Sequence, residues 1–277
     1  MANYLWYFFI YSFLGWCSEV VFSAVSKGGF TNRGFLNGPV CPIYGFGLTI
    51  VLIVLEPLKD NFFILYIGSV LLTTALELVT GFLMEKVFHH RWWDYSTRPL
   101  NIGGYVCALF SLVWGFACVV IVDVLHPVIA GVVSLIPATL GTICLVALCL
   151  AFTSDLVATV ITVAKLNLRL TQIEETSHAL RKFSDAIGSN MAEGAIDLAE
   201  KNRERSVELR EKGDELRAKG EELHARYEAL LAELPAGQKR LLRAFPDLHS
   251  VLHSDTLEEL KARYTTFKDK KTEEKQP

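Results

Sequence analysis

The sequence has 277 residues, with 27 Lys or Arg, 30 Asp or Glu and a net charge of −3 at pH 7. The charges are concentrated at one end, because residues 1–164 contain only six Lys/Arg and eight Asp/Glu. A soluble domain with so few charges could not cover its own surface, and no basic stripe points to a nucleic-acid partner. We therefore expect an integral membrane region, in contact with the lipid bilayer, followed by a polar tail.

Five apolar stretches in the first 165 residues approach the length of about 20 residues that crosses a hydrocarbon core. The second is the shortest and ends at Glu56-Pro57. Residues 127–136 are apolar but too short to cross alone, so they form either an interfacial turn or an outward extension of the fifth stretch, bent at Pro137. The predicted fold is all-α, a polytopic bundle of about five transmembrane helices at residues 4–25, 42–55, 62–84, 104–122 and 138–164, with a long helical or coiled-coil tail.

The basic residues of the connecting loops predict the orientation in the cell membrane. They follow the first and third predicted spans at Lys27, Arg33, Lys86, Arg91 and Arg98, whereas the loop after the second span has only Lys59 and the loop after the fourth has none. Five spans with the N-terminus outside and the C-terminus in the cytoplasm place these basic loops inside. The N-terminus lacks a basic segment and a cleavage site, so we expect a retained first helix and not a signal peptide.

Two predicted cytoplasmic loops, residues 28–47 and 89–107, are rich in Gly, Pro, Asn, aromatic residues and Arg. They resemble each other, because Leu36-Asn37-Gly38 precedes Val40-Cys41 and Leu100-Asn101-Ile102-Gly103 precedes Val106-Cys107. This similarity predicts a parallel repeat of spans one–two and three–four, a construction known in transporters. The alternative is that both are compact loops packed against the helix ends for stability.

Three carboxylates, Glu19, Glu77 and Asp155, lie within predicted spans, where an acidic side chain marks a candidate functional site. One interpretation is structural, with loop arginines folding back to neutralise them. The other is a polar cavity in which the carboxylates meet a cation, a proton or a polar substrate. The predicted polar site, whether it binds substrate or is structural, consists of Glu19, Arg33, Asn37, Glu77, Asp94, Arg98, Asn101 and Asp155.

No other motif indicates catalysis, a metal or a cofactor. The adjacent pair His89-His90 has no second group of ligands, and the six cysteines (Cys17, Cys41, Cys107, Cys118, Cys144 and Cys149) have no zinc-binding spacing. The sequence contains no P-loop, nucleophile elbow or zinc-protease motif. We therefore expect a chain that is not an enzyme, binds no cofactor and has no ATP site of its own.

The tail is divided into a helical region, residues 166–234, and a region of short helices with a disordered end from Lys268, residues 235–277. Leucine or isoleucine recurs every seven residues from Leu166 to Ile187 and again from Leu209 to Leu230. Gly213 and Gly220 fall on the other core position of the second run, so an amphipathic helix lying on a neighbour and a coiled coil that dimerises the chain both remain open.

Several long motifs resemble a known family. The first helix carries FLGWCSEVVF, the first loop NRGFLNGPVCPIYG, the third span ELVTGFLMEKVF, and the second loop WWDYSTRPLNIGGYVC followed by SLVWG. Over residues 4–165 these are similar to the bacterial membrane proteins described as "putative type IV ABC-transporter permeases", the CmpB-like family. The tail sequence RLLRAFPDL, residues 240–248, also looks like one that some members carry. The resemblance implies a bacterial polytopic membrane protein.

Two functions follow as hypotheses. The first is a permease-like component of a transport system, with a separate ATPase subunit as partner. The second is a membrane scaffold or sensor without transport activity, which acts or forms homo-oligomers through its helical tail. An intramembrane enzyme that uses the carboxylates with His89 and His90 is the least favoured.

Overall fold

The computed structural model describes residues 2–198, 205–232 and 234–273. Within them the protein is mainly α-helical, and its four strands have two residues each. The helices are α1 (Ala2–Lys27), α2 (Pro42–Leu55), α3 (Phe62–Phe88), α4 (Ala108–Val120), α5 (His126–Ser134), α6 (Ala138–Leu198), α7 (Arg205–Ala232), α8 (Ala236–Ala244) and α9 (Ser254–Glu273). The strands are β1 (His90–Arg91), β2 (Asn101–Ile102), β3 (Val106–Cys107) and β4 (His249–Ser250).

The first helical hairpin joins α1 to α2 through loop 1, residues 28–41. Its helices approach closely, because a Cβ atom added at Gly45 would lie 2.6 Å from the Phe8 carbonyl oxygen. The backbone N of Cys41 donates to the carbonyl oxygen of Ser12 at 2.9 Å, so loop 1 returns along α1 before α2 begins. The contact lies fifteen residues before the end of α1, about 22 Å along the helix axis. Loop 1 is therefore packed between helices.

The second hairpin joins α3 to α4 through loop 2, residues 89–107. The Asn61 side chain caps α3 by accepting hydrogen bonds from two backbone N–H groups of its first turn, and His89 ends α3 in the left-handed conformation (φ 57°). A Cβ atom at Gly115 of α4 would lie 3.2 Å from the Val70 Cα atom of α3. In loop 2, β2 pairs antiparallel with β3, which leads directly into α4.

The fourth apolar helix differs from its predicted bounds. It begins at Ala108, because residues 104–107 belong to loop 2, and it continues as a five-residue π-helical segment, Ile121–Leu125, into α5. Neither predicted interpretation of residues 127–136 is correct, since residues up to Ser134 extend the fourth helix and not the fifth. Pro127 follows the π-helical segment directly, and it provides no backbone N–H at this point of the helix.

In the part of the chain that the structure describes, four helices are long and apolar enough to cross a membrane, namely Ala2–Ser26, Phe62–Phe88, Ala108–Ser134 and Ala138–Gly188, and Pro42–Leu58 is a shorter apolar helix. Their surfaces carry many exposed large apolar side chains, as expected where lipid replaces water. The protein is thus an all-α, multi-pass membrane protein. The count of five spans stays a prediction, because the helix beginning at Pro42 is short for a complete crossing.

The chain packs as two compact units. The first comprises Met1–Val163 together with Gly237–Val251, and the second comprises Ala164–Ala236 together with Leu252–Pro277. This division begins close to the boundary predicted near residue 165, and Gly237–Val251 packs with the first unit. The three predicted domains stay a prediction. The core of the first unit is built from apolar side chains of α1 to α5, including Tyr11, Val51, Leu52, Leu65, Val122 and Ile129.

The second unit is a helical assembly in which α7 packs antiparallel to the later part of α6. The Arg169 side chain donates to the Leu230 carbonyl oxygen, and Phe183 fills the space beside Gly220. Helix α9 packs on α7 through Arg263, whose Nη1 lies 2.6 Å from Glu228 Oε2. The buried leucines and isoleucine of the second unit are Leu166, Leu170, Ile173, Leu231, Leu234, Leu257 and Leu260.

The first heptad run of the tail contributes side chains to the buried core of the second unit. Leu166 and Ile173 are fully buried, whereas the Leu209 side chain lies outside the part that the structure describes. The first tail helix does not end at Gly188 but continues to Leu198, and α9 continues past Lys268 to Glu273. A coiled coil between two chains stays a prediction.

Candidate functional site

Loop 1 is held by a carboxylate of α6. Asp155 Oδ1 accepts hydrogen bonds from the backbone N (3.0 Å) and the side-chain Nδ2 (2.7 Å) of Asn37, and Oδ2 accepts one from the Gly38 N at 2.7 Å. The hydroxyl of the fully buried Thr159 also accepts from Asn37 Nδ2, at 3.2 Å. Donors from loop 1 thus satisfy the Asp155 carboxylate.

Glu19 of α1 has a cation and a hydroxyl as partners. Arg33 Nε of loop 1 lies 3.1 Å from Glu19 Oε2, and the Tyr44 hydroxyl of α2 donates to Oε1 at 2.7 Å. The side chains of Glu19 and Arg33 are 27% and 24% exposed. A Cβ atom at Gly15 would lie 2.3 Å from the Tyr44 ring, so glycine is needed for this approach. Arg33 offsets the Glu19 charge.

Glu77 of α3 has no such cation. The side chain of Tyr95 in loop 2 interacts with the Glu77 carboxyl group. The Glu77 Oε2 atom is buried and has no hydrogen-bond partner among the described residues. Burial raises the pKa of the Tyr95 hydroxyl well above its ordinary value, and the negative charges of Glu77 and Glu19 raise it further.

These groups form one polar cluster, which we name the carboxylate cluster: Glu19, Arg33, Tyr44, Glu77 and Tyr95. It joins the two hairpins, because Tyr95 interacts electrostatically with a glutamate from each of them. The cluster contains two carboxylates and one arginine. One carboxyl group of the cluster therefore has no arginine as partner within it.

The backbone of loop 1 is also bound by a residue far away in the sequence. The Arg240 guanidinium of α8 donates to the carbonyl oxygens of Gly34 (2.9 Å), Phe35 (2.9 Å) and Leu36 (3.0 Å). Burial lowers the pKa of Arg240 from its ordinary value, and the negative charge of Asp155 opposes this. Arg240 thus binds backbone carbonyl groups of loop 1, and Asp155 binds its backbone N–H groups.

The same tail segment packs against loop 2. Trp92 of loop 2 is 5% exposed, and its ring makes edge-to-face contacts with Phe245 (4.8 Å between centroids) and with Phe35 of loop 1 (5.0 Å). Strand β4 pairs antiparallel with β1, immediately after α3. The segment Gly237–Val251 therefore bridges the two loops within the first unit.

A second charged group lies at the end of α3. Glu85 Oε2 accepts from Arg91 Nε at 2.6 Å and from the Tyr105 hydroxyl at 2.8 Å. The Arg91 guanidinium lies 5.1 Å from the centre of the Tyr105 ring. An open cavity of about 290 Å³ at this position is lined by Glu85, Arg91, Asp94, His249 and Val251. Glu85 and Arg91 are paired, and Asp94 adds a second carboxylate, so the cavity lining carries two acidic groups and one arginine.

Comparison with known families agrees with this architecture. The sequence profile of the family described as "Putative ABC-transporter type IV" matches residues 6–160, more than half of the chain. The chain belongs to this family. The family resemblance predicted from the motifs is therefore confirmed. Neither curated proteins nor solved structures give a significant match.

In this type IV ABC-transporter family member, the predicted site residues do not form one group. Glu19, Arg33 and Glu77 belong to the carboxylate cluster, whereas Asp155 and Asn37 form the attachment of loop 1 to α6. Whether they bind a substrate stays a prediction.

The three predicted site residues of loop 2 stay within it. Asn101 Nδ2 donates to the Arg98 carbonyl oxygen at 2.7 Å, and Asp94 Oδ1 accepts from the Ser96 N at 2.8 Å. The Arg98 side chain is exposed and forms no ion pair in the part of the chain that the structure describes. It therefore does not neutralise a span carboxylate here.

The sequence reasoning missed the tyrosines and the distant arginine of this family member. Tyr44 and Tyr95 gave a weak signal, since each follows a Gly- or Trp-rich stretch in a loop that was already singled out. Arg240 gave none beyond its place in the RLLRAFPDL motif, because it lies 204 positions or more from the carbonyl groups that it binds. Among the described residues, no group of three or more His, Cys, Asp and Glu could hold a metal ion.

Proposed function

We propose that this chain is the membrane component of a transport system and that the carboxylate cluster binds a proton or the cationic group of a small substrate. Family membership and the apolar helices support a transport role. The observation that carries the proposed site is the buried Oε2 atom of Glu77, which lacks a partner although Glu19 and Asp155 have theirs. A carboxylate in a low-dielectric site needs a positive charge or a proton.

The orientation of the site follows from the basic loops. Arg33 of the cluster lies on loop 1 and Arg91 lies on loop 2, and positive residues favour the cytoplasmic side. The site then opens toward the cytoplasm, with the N-terminus outside and the C-terminus inside. Since the chain contains no nucleotide-binding motif, an ATPase subunit would act in trans.

The three membrane carboxylates take different roles in this proposal. Asp155 and Glu19 are structural, because each is neutralised by donors or by a cation from loop 1. Glu77 is the group that exchanges its ligand. Substitution of Glu77 by Gln keeps the shape of the side chain but removes its charge, so it should abolish binding without unfolding the bundle.

A carbodiimide experiment tests the role of Glu77. Dicyclohexylcarbodiimide reacts with protonated carboxyl groups that are shielded from water, and the adduct can be located by peptide mass spectrometry. We expect labelling of Glu77 in the purified protein and little labelling of Glu19 or Asp155. Sodium, potassium or a primary ammonium ion that binds at the cluster should slow this labelling, which identifies the class of ligand.

The matched controls are Glu77→Gln, which should remove the adduct, and Glu19→Gln, which should leave it in place. Equal labelling of all three carboxylates, or labelling of Asp155 alone, would contradict the proposed site. Failure of any cation to slow labelling would restrict the ligand to a proton.

The transport role requires a separate test, which is affinity capture of the tagged chain from membranes solubilised in mild detergent. An ATPase in the captured material supports the transport complex. Capture without any ATPase, from cells in which the chain is expressed at its natural level, counts against it.

A second candidate function is a scaffold or sensor that acts through the tail. It is favoured by one observation, that the second unit packs its own buried core, including Leu170 and Leu257. Deletion of the tail from Leu166 would not separate the two functions, because it would also remove Arg240 from loop 1. The double variant Leu170→Ala/Leu257→Ala keeps Arg240. Loss of the cellular phenotype with normal Glu77 labelling would favour the scaffold.

A further inference from the structure

A buried histidine lies at the end of the bundle opposite the loops. His126 is the first residue of α5, directly after the π-helical segment, and it is 4% exposed. Its Nδ1 atom lies 3.0 Å from the Tyr11 hydroxyl of α1, and its Nε2 atom lies 3.7 Å from Glu56 Oε1, in the turn after α2. The Tyr7 ring packs against it edge-to-face, at 4.7 Å between centroids.

This arrangement is separate from the carboxylate cluster. Tyr11 precedes Glu19 by eight residues on α1, which is about 12 Å along the helix. The intervening α1 surface is packed against α2, where Gly45 meets Ser12. The histidine is therefore a second polar site within the membrane region.

The local backbone directs the ring toward these partners. The π-helical segment widens the helix by one residue per turn, and the His126 N–H donates to the Ile121 carbonyl oxygen five residues earlier. π-Helical segments are rare, and they are frequent at functional sites. Here the segment ends at His126, whose ring contacts Tyr7, Tyr11 and Glu56.

The partners determine what the ring can do. A carboxylate does not donate, so the neutral tautomer that suits both contacts has Nε2–H toward Glu56, an electrostatic contact at 3.7 Å, and the Nδ1 lone pair toward the Tyr11 hydroxyl. When a proton adds to Nδ1, both ring nitrogens donate. The Tyr11 hydroxyl must then rotate and accept, and its own hydrogen leaves this hydrogen bond. In this step an N–H bond forms at Nδ1, and a hydronium ion at the protein surface loses the proton. No other covalent bond changes.

We propose that His126 is a proton-binding site that exchanges protons with solvent through Glu56. Its protonation changes the hydrogen bond to Tyr11 of α1. The Glu56 side chain is 37% exposed, whereas the His126 side chain is 6% exposed, so the carboxylate is the solvent-accessible member. The charged and titratable groups that act on the ring are Glu56 and Lys59 from the turn and Tyr7 and Tyr11 from α1. Protonation changes contacts among three segments at once.

The experiment is a pH titration by nuclear magnetic resonance of the full chain, with ¹³C,¹⁵N-labelled histidine in detergent micelles or nanodiscs. The chain has seven histidines, and the variant His126→Gln assigns the signal. We expect the Nε2–H tautomer at high pH and one transition to imidazolium between about pH 5 and pH 9. His178 serves as the reference, because its side chain is 65% exposed.

Two charge variants distinguish a proton-exchange site from a merely structural histidine. Glu56→Gln should move the midpoint of the His126 transition by about half a pH unit or more, and Lys59→Gln should move it the opposite way. The His178 transition should stay in place in both variants. Tyr11→Phe should keep the transition but change the Nδ1 chemical shift.

A His126 signal that stays constant across this pH range, or a transition indifferent to both charge variants, would overturn the proposal. Lys59 is exposed, so its variant remains informative even if Glu56→Gln fails to fold. The outcome does not depend on the Glu77 labelling, and either site can fail without the other.

Discussion

Loop 1 and loop 2 connect corresponding helix pairs and share a Leu-Asn motif, yet they are stabilised in different ways. Loop 1 is held by Asp155 of α6 and Arg240 of α8, and Leu36 is fully buried. Loop 2 also contacts the tail segment, through Trp92 and β1, but most of its hydrogen bonds are internal, such as those of the Asn101 side chain, and Leu100 is 81% exposed. Similar sequences thus gave one loop that depends on distant residues and another whose hydrogen bonds are mostly internal.

This difference shows how the site is built. The carboxylate cluster takes Arg33 from the externally held loop and Tyr95 from the internally held one.

The largest expected effect concerns the helix contact that positions loop 1. Gly45→Ala places a Cβ atom 2.6 Å from a backbone oxygen of α1, and relief requires the helices to separate. We expect a loss of about 3 kcal/mol in the free energy of unfolding, measured by thermal melting in detergent. Gly115→Ala of the second hairpin should cost less, because its nearest backbone atom is 3.2 Å away.

Gly47→Ala is the control for Gly45→Ala, since no atom lies within 4 Å of its Cβ position. Equal melting temperatures for the Gly45 and Gly47 variants would show that α1 and α2 are not in close contact.

The next effect concerns the carboxylate that holds loop 1. Asp155→Ala removes the acceptor for three N–H groups of Asn37 and Gly38, and we expect a loss of about 2–3 kcal/mol. Asp94→Ala removes one exposed acceptor from loop 2 and should cost less than about 1 kcal/mol. A larger loss for Asp94→Ala would reverse the comparison between the two loops.

Chemical labelling provides a local readout for the same variants. Cys41 at the end of loop 1 and Cys107 at the end of loop 2 are both buried, with 6% and 1% exposure. We expect Asp155→Ala to increase alkylation of Cys41 several-fold while alkylation of Cys107 stays unchanged, as measured by peptide mass spectrometry. A parallel increase at both cysteines would indicate global unfolding instead.

A smaller, local effect is expected for Arg240→Ala. The variant frees three carbonyl groups of loop 1, and we expect about 2 kcal/mol of lost stability together with faster hydrogen exchange in residues 34–38. Arg240→Lys should restore only part of the protection, because one ammonium group cannot reproduce the planar guanidinium geometry.

The control for Arg240→Ala is Arg98→Ala in loop 2. The Arg98 side chain is exposed, so this variant should change neither the stability nor the hydrogen exchange of residues 34–38. Unchanged exchange in loop 1 of the Arg240 variant would mean that α8 does not stabilise it.

The smallest effect should have the opposite sign. Leu100 adopts a positive φ of 53°, which is unfavourable for leucine and acceptable for asparagine. Because its side chain is exposed, Leu100→Asn should stabilise the protein by about 0.5 kcal/mol. At the matching position, Leu36→Asn should destabilise it by about 2 kcal/mol or more, since a polar group would replace a buried apolar one. Both are measured by thermal melting.

Much of the membrane region could be predicted from the sequence, because lipid contact imposes long apolar helices with few charges. The positions of Glu19 and Glu77 and the two Gly-rich loops were visible for the same reason. The bounds of the fourth helix were not, because the change at Ile121 to a π-helical segment leaves the apolar pattern uninterrupted. The short helix that begins at Pro42 directly follows the contact between Cys41 of loop 1 and Ser12 of α1. No local sequence pattern indicates this contact.

The sequence by itself determined that the protein is an all-α membrane protein of the type IV ABC-transporter family with carboxylates inside its spans. Only the tertiary structure decided which carboxylate has a partner, because Arg33, Asp155 and Arg240 act through contacts that local periodicity does not encode. It also decided that Gly237–Val251 packs with the loops and that His126 meets Tyr11 and Glu56. The physical reason is that burial and hydrogen bonding depend on distances between segments, whereas hydropathy depends only on composition along the chain.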